Sequence, residues 1–450
     1  MTLPIHERTP REIVAALDEY VIGQPEAKRA VAIGLRNRRR RGLVDPAFRD
    51  EITPANLLMI GPTGVGKTEI ARRMARLSSA PFVKVEASKF TEVGYVGRDV
   101  DSIVRDLVEA SVALLQQERT ERAAPRARKQ AEERLLNLLS PRKRGPSGEH
   151  DPAARERWET ERRALRAALL SGALDQRPVQ VDVTQPNPDA LEFCSQLGLG
   201  PPTEGGGGSL ESLFPPRKSR RRLSVAEARE VLQQEESRRL VDRDDLMAEA
   251  IRRAEQSGIV FIDEIDKLCG PRGSNGPEVS REGVQRDLLP LVEGAAVATR
   301  YGVVRTDHVF FIAAGSFHTA RPSDLLPELQ GRFPIRVELR ALSADDLLRV
   351  LTEPKTSLLR QYQMLFATEG IALELTPGAC ERIADAAFEM NRTRENLGAR
   401  RLHAVLYTLL EDLLFRAPDL GVDTVVLGER EVAQRLGKLP RERDVSQYIL

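Results

Sequence analysis

The chain has 450 residues, room for about two to four domains, and 41% hydrophobic with 30% charged residues predicts folded cores under a well-solvated surface. A formal net charge of +1 gives no electrostatic argument for nucleic acid or a membrane surface. No run of ~20 apolar residues occurs, the first residues lack a signal-peptide apolar stretch, and three widely spaced cysteines (Cys194, Cys269, Cys380) exclude a four-cysteine zinc module and predict a reducing compartment, the cytoplasm.

In chain order, Thr9 is a candidate N-cap, with Pro10 at the first helical position and Glu12 completing a capping box. Ile13, Val14 and Leu17 give that helix its apolar stripe. A turn through Tyr20–Pro25 leads to a second helix ending in Arg38-Arg39-Arg40-Arg41. This run reads as a solvated, macrodipole-favoured helix end, or else as a contact for an anionic partner. Leu57-Leu58-Met59-Ile60 reads as a strand and leads into Gly61-Pro62-Thr63-Gly64-Val65-Gly66-Lys67-Thr68, followed by a helical stretch. Strand, glycine loop and helix in this order form the context in which G-x-x-x-x-G-K-[ST] cradles a polyphosphate. Phe82–Val85 is a second strand, so this region reads as α/β with a parallel sheet. Gly94-Tyr95-Val96-Gly97 sets one aromatic between glycines in a polar stretch: either a tight turn with a packed tyrosine or a mobile loop gripping an extended polymer.

The middle changes character. Residues 111–138 read as helix. Residues 140–222, rich in Pro and Gly and carrying Gly205–Gly208, read as irregular and mobile. The cluster Arg217–Arg222 reads as a solvated linker flank, with an anion contact as the alternative. Ser224 opens a further helix. Gly258–Ile262 is a buried strand ending in Asp263-Glu264, and Val309–Ala314 and Ile335–Val337 are further strands. Ser343 and Thr376 open helices. Leu402, Val405, Leu406, Leu409, Leu410, Leu413 and Leu414 keep a helical period, and Thr424–Leu427 is a short strand. Far more chain separates Lys67 from Asp263 than a compact core needs, which predicts an inserted domain between them.

The residue chemistry converges on phosphoryl transfer. Lys67 suits the β- and γ-phosphates, and Thr68 and Asp263 suit Mg²⁺, which accompanies the nucleotide. Glu264 suits the attacking water. Arg332 and Arg400 have the fork that developing γ-phosphate charge calls for, although surface ion pairing would also explain them. No G-x-S-x-G or H-E-x-x-H occurs, so peptide-bond chemistry is expected of another chain.

Together these residues resemble the AAA+ ATPases, and within them the HslU (ClpY) family of protease-associated unfoldases. The similarity spans almost the whole chain. Its most distinctive segment is Ser280-Arg281-Glu282-Gly283-Val284-Gln285-Arg286-Asp287-Leu288-Leu289-Pro290-Leu291-Val292-Glu293-Gly294, and it is weakest in the middle. The resemblance implies a fold of α/β class. The AAA+ P-loop core with its parallel sheet would fill 1–110 and 246–340, a mainly helical I domain would be inserted at 111–245, and a C-terminal α-helical lid with a small sheet would fill 341–450. It implies ATP and Mg as cofactors, with Ile22 at the adenine and Gly64, Val65, Gly66, Lys67, Thr68 and Glu69 at the phosphates. Asp263 and Glu264 would be the Walker B pair. Arg332 would be an arginine finger with Glu328 beside it, and Arg400 the second sensor. A homo-hexamer would present Gly94, Tyr95, Val96 and Gly97 in its pore to unfolded or tagged protein substrates. Tyr448, Ile449 and Leu450 would dock into the HslV peptidase, although taken alone this apolar end is also what a frayed terminus looks like. The family usually has a small polar residue before the glycine ending the third strand. Here Ala314 precedes Gly315 and Ser316 follows, so the first sensor stays unassigned. A ClpX-type unfoldase and a nucleic-acid motor are the alternatives. The former usually carries a zinc module and the latter a basic groove, and neither is present in this composition.

Overall fold

The computed structural model describes residues 8–49, 51–91, 98–141, 152–185, 217–240, 242–269, 281–419 and 421–437. In chain order its strands are β1 (Leu57–Ile60), β2 (Phe82–Glu86), β3 (Pro178–Gln185), β4 (Arg217–Ser224), β5 (Ile259–Asp263), β6 (Ala296–Thr299), β7 (Gly302–Arg305), β8 (Phe310–Gly315), β9 (Ile335–Glu338), β10 (Ala372–Leu375) and β11 (Thr424–Leu427). Contacts divide the chain into two units, one of Met1–Ser111 with Ala250–Leu450 and one of Val112–Glu249.

The first unit is built on a five-stranded sheet in the order β2-β5-β8-β1-β9, with every pairing parallel. Its inner strands β5, β8 and β1 are apolar runs because helices cover both faces of such a sheet, while the edge strands β2 and β9 alternate buried and exposed residues. Leu57, Met59, Ile259, Phe261, Phe310 and Ile312 are buried together with Ile13, Leu17, Val31, Ile70 and Met74 from the helices Pro10–Asp18, Pro25–Gly42 and Lys67–Ser78. Register aligns the strand ends: Ile60 lies opposite Gly315 and Glu338, and Glu86 opposite Asp263. The carboxyl edge of such a sheet is where ligands bind.

Helix starts follow the sequence. Thr9 and Ser343 each form a full capping box, and Thr376 caps Pro377–Thr393. The C-terminal helices Ala344–Thr352, Leu358–Ala367, Pro377–Thr393, Arg400–Arg416 and Glu429–Gly437 share a core of Leu351, Phe366, Ile383, Leu402, Leu406, Leu409 and Leu410. The strand β11 pairs in parallel with β10, which the sequence reading missed, as it missed the β6–β7 hairpin.

Two expectations are corrected. The arginine run ends its helix as expected and Arg40 is exposed, but two of its members are not solvated: Arg38 donates to the Gly258 carbonyl at 2.6 Å, and Arg41 is buried, donating to the Arg49 carbonyl and to Gln256 Oε1, each at 2.9 Å. Only the folded partners reveal that these two side chains turn inward. Nor is 140–222 irregular throughout. Pro152–Leu170 is helical, and β3 pairs antiparallel with β4 over their full length, so Arg217–Arg222 is a strand rather than a linker flank. The alternation Val179, Val181 is the half-buried strand signal that was overlooked; both valines are buried with Leu135, Leu169, Val225 and Leu232 in a separate core of the second unit. Ser224 opens helix Val225–Arg239 as expected, and does so with a full capping box. Gly94–Gly97 and Tyr448–Leu450 lie outside the described residues.

Candidate functional site

The loop after β1 can close only because of its glycines. Gly64 and Gly66 have φ of +74° and +100°, the left-handed region that glycine adopts freely. A Cβ on Gly64 would lie 2.0 Å from the Leu397 carbonyl oxygen, and one on Gly398 (φ +56°) would lie 2.7 Å from the Gly64 backbone. Ala399 N donates to the Gly64 carbonyl at 3.0 Å. The glycine loop and the turn before helix Arg400–Arg416 therefore meet backbone to backbone. Gly66 is the N-cap of helix Lys67–Ser78, whose first turn presents its free N–H groups and positive dipole end to the same space.

Lys67 folds back over the loop, donating to the carbonyls of Gly61 at 2.5 Å and Pro62 at 2.8 Å. Burial pushes its ammonium below the ordinary lysine range; Asp263 and Asp266 oppose that shift and Arg400 adds to it. Thr68 Oγ1 donates to Asp263 Oδ2 at 3.3 Å, and the same carboxylate oxygen lies 2.9 Å from Lys84 Nζ. Glu264 is exposed and sits at φ +57°, a conformation costing about 1–3 kcal/mol in a non-glycine residue and characteristic of functional sites. These groups line a cleft of about 910 Å³ with Tyr20, Ser316, His318, Gln361, Glu395, Arg400 and His403. A hydroxyl, a carboxylate and a glycine cradle are the hard oxygen donors and open backbone that a magnesium–nucleotide complex calls for, so these residues fit it.

The other candidates are distributed. Glu69 pairs with Arg73 at 2.6 Å, and Arg73 stacks 4.1 Å above the Tyr20 ring. Val65 and Ile22 are buried; a Cβ on Gly66 would touch the neighbouring Val21, but Ile22 itself does not line the cleft. Arg332 ends helix Pro327–Arg332, is exposed, and lies 3.0 Å from Glu293 rather than at this chain's own cleft. Glu328 is exposed in the first turn of the same helix. Arg400, the first residue of its helix, does line the cleft.

Sequence reasoning missed several residues around these. Lys84 is a lone cation in an apolar strand, and that isolation was the available signal. Asn56, 4% exposed, accepts from Phe311 N at 3.0 Å and donates to the Arg332 carbonyl at 3.2 Å, tying the start of β1 to the residue proposed as a finger. Gln285, also buried, bridges the Leu268 carbonyl and Leu326 N at 2.9 Å each. Nothing local in the sequence marks either amide.

Residues 57–146 match the model of the ATPase family associated with various cellular activities (AAA), and 191–336 that of the AAA domain (Cdc48 subfamily). Residues 342–421 match the C-terminal, D2-small domain, of ClpB protein. The chain is 52% identical to the ATP-dependent protease ATPase subunit HslU of Geobacillus kaustophilus (strain HTA426), over 98% of this chain and 99% of that one. It is 49% identical to the ATP-dependent protease ATPase subunit ClpY of Bacillus subtilis (strain 168), with the same coverage. Against the HslU of Desulfitobacterium hafniense (strain DSM 10664 / DCB-2) the identity is 50%, over 99% of this chain and all of the relative. With the phosphate cradle on the carboxyl edge of a parallel sheet, this shows that the chain belongs to the HslU (ClpY) family of AAA+ ATPases, the ATPase subunits of ATP-dependent proteases.

Proposed function

We propose that this chain forms a homo-hexameric ring that unfolds protein substrates with the energy of ATP and threads them into the HslV peptidase, which it also activates. The supporting observation is the single cleft in which Lys67 and Thr68 of one element face Asp263 and Glu264 of another. In this reading Gly64, Val65, Gly66, Lys67, Thr68 and Glu69 hold the phosphates, and Ile22, buried and outside the cleft lining in this structure, would border the adenine in the bound state. Magnesium, held by Thr68 and Asp263, would neutralise phosphate charge. Glu264 takes the proton of the attacking water, leaving ADP and phosphate. Arg332, with Glu328 beside it, serves the neighbouring protomer's nucleotide, which explains an exposed guanidinium away from its own cleft. Arg400 couples nucleotide state to the C-terminal helices through the Gly64–Ala399 junction. Residues 1–110 and 246–340 would act as the core, 111–245 as the inserted I domain, and 341–450 as the lid. Tyr95, with Gly94, Val96 and Gly97, would grip the polypeptide, and Tyr448, Ile449 and Leu450 would dock on the peptidase, in the cytoplasm.

The test is proteolysis of a folded substrate by the purified chain mixed with HslV and ATP. Degradation that needs both proteins and ATP is expected, with Tyr95→Ala abolishing it while basal ATPase persists. ATPase stimulated by DNA and indifferent to HslV would overturn the reading.

A further inference from the structure

Two buried amides grip the short helix Pro327–Arg332 at opposite ends, and none of the roles above uses them. Gln285 belongs to helix Arg281–Glu293 and is 3% exposed. Its Oε1 accepts from the backbone N–H of Leu326, the N-cap of Pro327–Arg332, and its Nε2 donates to the Leu268 carbonyl, each at 2.9 Å. Leu268 closes the turn Ile265–Leu268 that directly follows Asp263 and Glu264. Asn56 holds the other end. Its Nδ2 donates to the Arg332 carbonyl at 3.2 Å while its Oδ1 accepts from Phe311 N in β8. Burying an amide is unfavourable unless its hydrogen bonds are made, and here each amide spends both ends on bridging separate elements. A helix of six residues has too few internal hydrogen bonds to hold its own direction. The two bridges fix it to the central sheet and to the turn after the acids.

What this helix carries is Arg332. The guanidinium pairs with Glu293 at 3.0 Å, but the two side chains are 45% and 39% exposed, and an ion pair so open to water fixes little. The direction in which Arg332 leaves the surface is therefore set by its backbone, and that backbone is set by the two amides. We propose that Gln285 and Asn56 are positioning residues for Arg332, aiming its guanidinium at the γ-phosphate bound by a neighbouring protomer. Neither amide touches the nucleotide; both act through the helix. Because Gln285 is anchored in the turn after Asp263 and Glu264, the finger is indexed to the acids of its own subunit while it serves the next one's site. The inference rests on the reading of Arg332 as a finger that works between protomers.

Steady-state ATPase assays on the full chain, an ADP titration and a melting curve test it, followed by mixing of variants. Gln285→Met keeps the length of the side chain and removes both bonds. Its kcat is expected to fall about 10- to 100-fold, the scale of a misplaced catalytic group, with ADP affinity unchanged because the finger meets the γ-phosphate. Asn56→Asp, as a carboxylate, keeps the acceptor for Phe311 N and drops the donation to Arg332. It should lower kcat in the same sense, and it takes the place of Gln285→Met in the mixing if that variant does not fold. Complementation is the readout that a purely structural amide would not move. Glu264→Gln subunits have inactive sites but intact fingers, so Gln285→Met subunits assembled with them should regain turnover well above that of either variant alone. Wild-type kcat in both amide variants would overturn the proposal. So would a loss that mixing leaves in place although the same mixing relieves Arg332→Ala. If Arg332→Ala is not relieved either, the finger reading itself falls, and this inference with it.

Discussion

The phosphate edge of the central sheet and the inserted unit are held together by different means. At the phosphate edge the decisive contacts are made between or onto backbone atoms: Gly64 against Leu397 and Gly398, Gly61 N on the Gly315 carbonyl, and the Lys67 ammonium on the carbonyls of its own loop. The unit Val112–Glu249 relies on side chains. An apolar cluster of Leu135, Val181, Leu232 and neighbours is surrounded by ion pairs such as Arg119–Glu249 at 2.6 Å and Arg229–Asp175 at 3.2 Å. Backbone contacts demand glycine at fixed positions, because any Cβ collides. Side-chain contacts tolerate exchange among apolar or charged residues, and exposed ion pairs contribute only about 0–1 kcal/mol each.

The largest effect should come from the chemistry that the rigid edge exists to serve. Glu264→Gln keeps the shape of the side chain and removes its basicity. ATP binding should persist while turnover falls about 100-fold or more. Single-turnover phosphate release checks this, and rapid release would remove Glu264 from the water-activating role. Next comes the backbone itself. Gly64→Ala places a methyl 2.0 Å from the Leu397 oxygen at φ +74°, so the loop and the turn before Arg400 must part. Nucleotide affinity should fall about tenfold or more, measured by titration, and near-normal affinity would mean that this junction is not what shapes the cradle.

How much of this was legible follows from the same contrast. The phosphate loop could be read because its glycines, lysine and threonine obey local demands within eight consecutive residues. The capping boxes at Thr9, Ser224 and Ser343 are equally local. The strands β6, β7 and β10, four residues each, lack the continuous apolar run that marks the equally short β1. The inward turn of Arg38 and Arg41, and the bridging by Asn56, depend on elements distant in sequence. The contact of Gly398 with Gly64 is of the same kind: Arg400 carries a chemical signal of its own, while nothing local marks the glycine two residues earlier that packs on the cradle. In the inserted unit, proline and glycine content masked the valine alternation of β3.

Within the inserted unit the comparison can be sharpened at a single side chain. Leu232 is fully buried against Leu135 and Val225. Leu232→Ala should destabilise that unit by about 2–5 kcal/mol, seen as faster amide exchange within Val225–Arg239, with basal ATPase unchanged. An equal loss of ATPase would mean that the two cores are not independent.

The smallest effect is one of pH. His403 stands at the cleft wall one turn after Arg400, and partial burial pushes its imidazole below the ordinary histidine value of 6.5. The folded state therefore releases this proton more readily than the unfolded chain. Stability from this group is fully present above the unfolded value and declines as pH falls through it toward the folded value. Because the side chain remains substantially open to solvent, the effect should stay under about 0.5 kcal/mol. The wild-type melting temperature should drop slightly more than that of His403→Gln between pH 7 and 5.5. The opposite order would mean that a carboxylate, for which Glu395 on the same wall is the nearest candidate in the sequence, stabilises the imidazolium in solution instead.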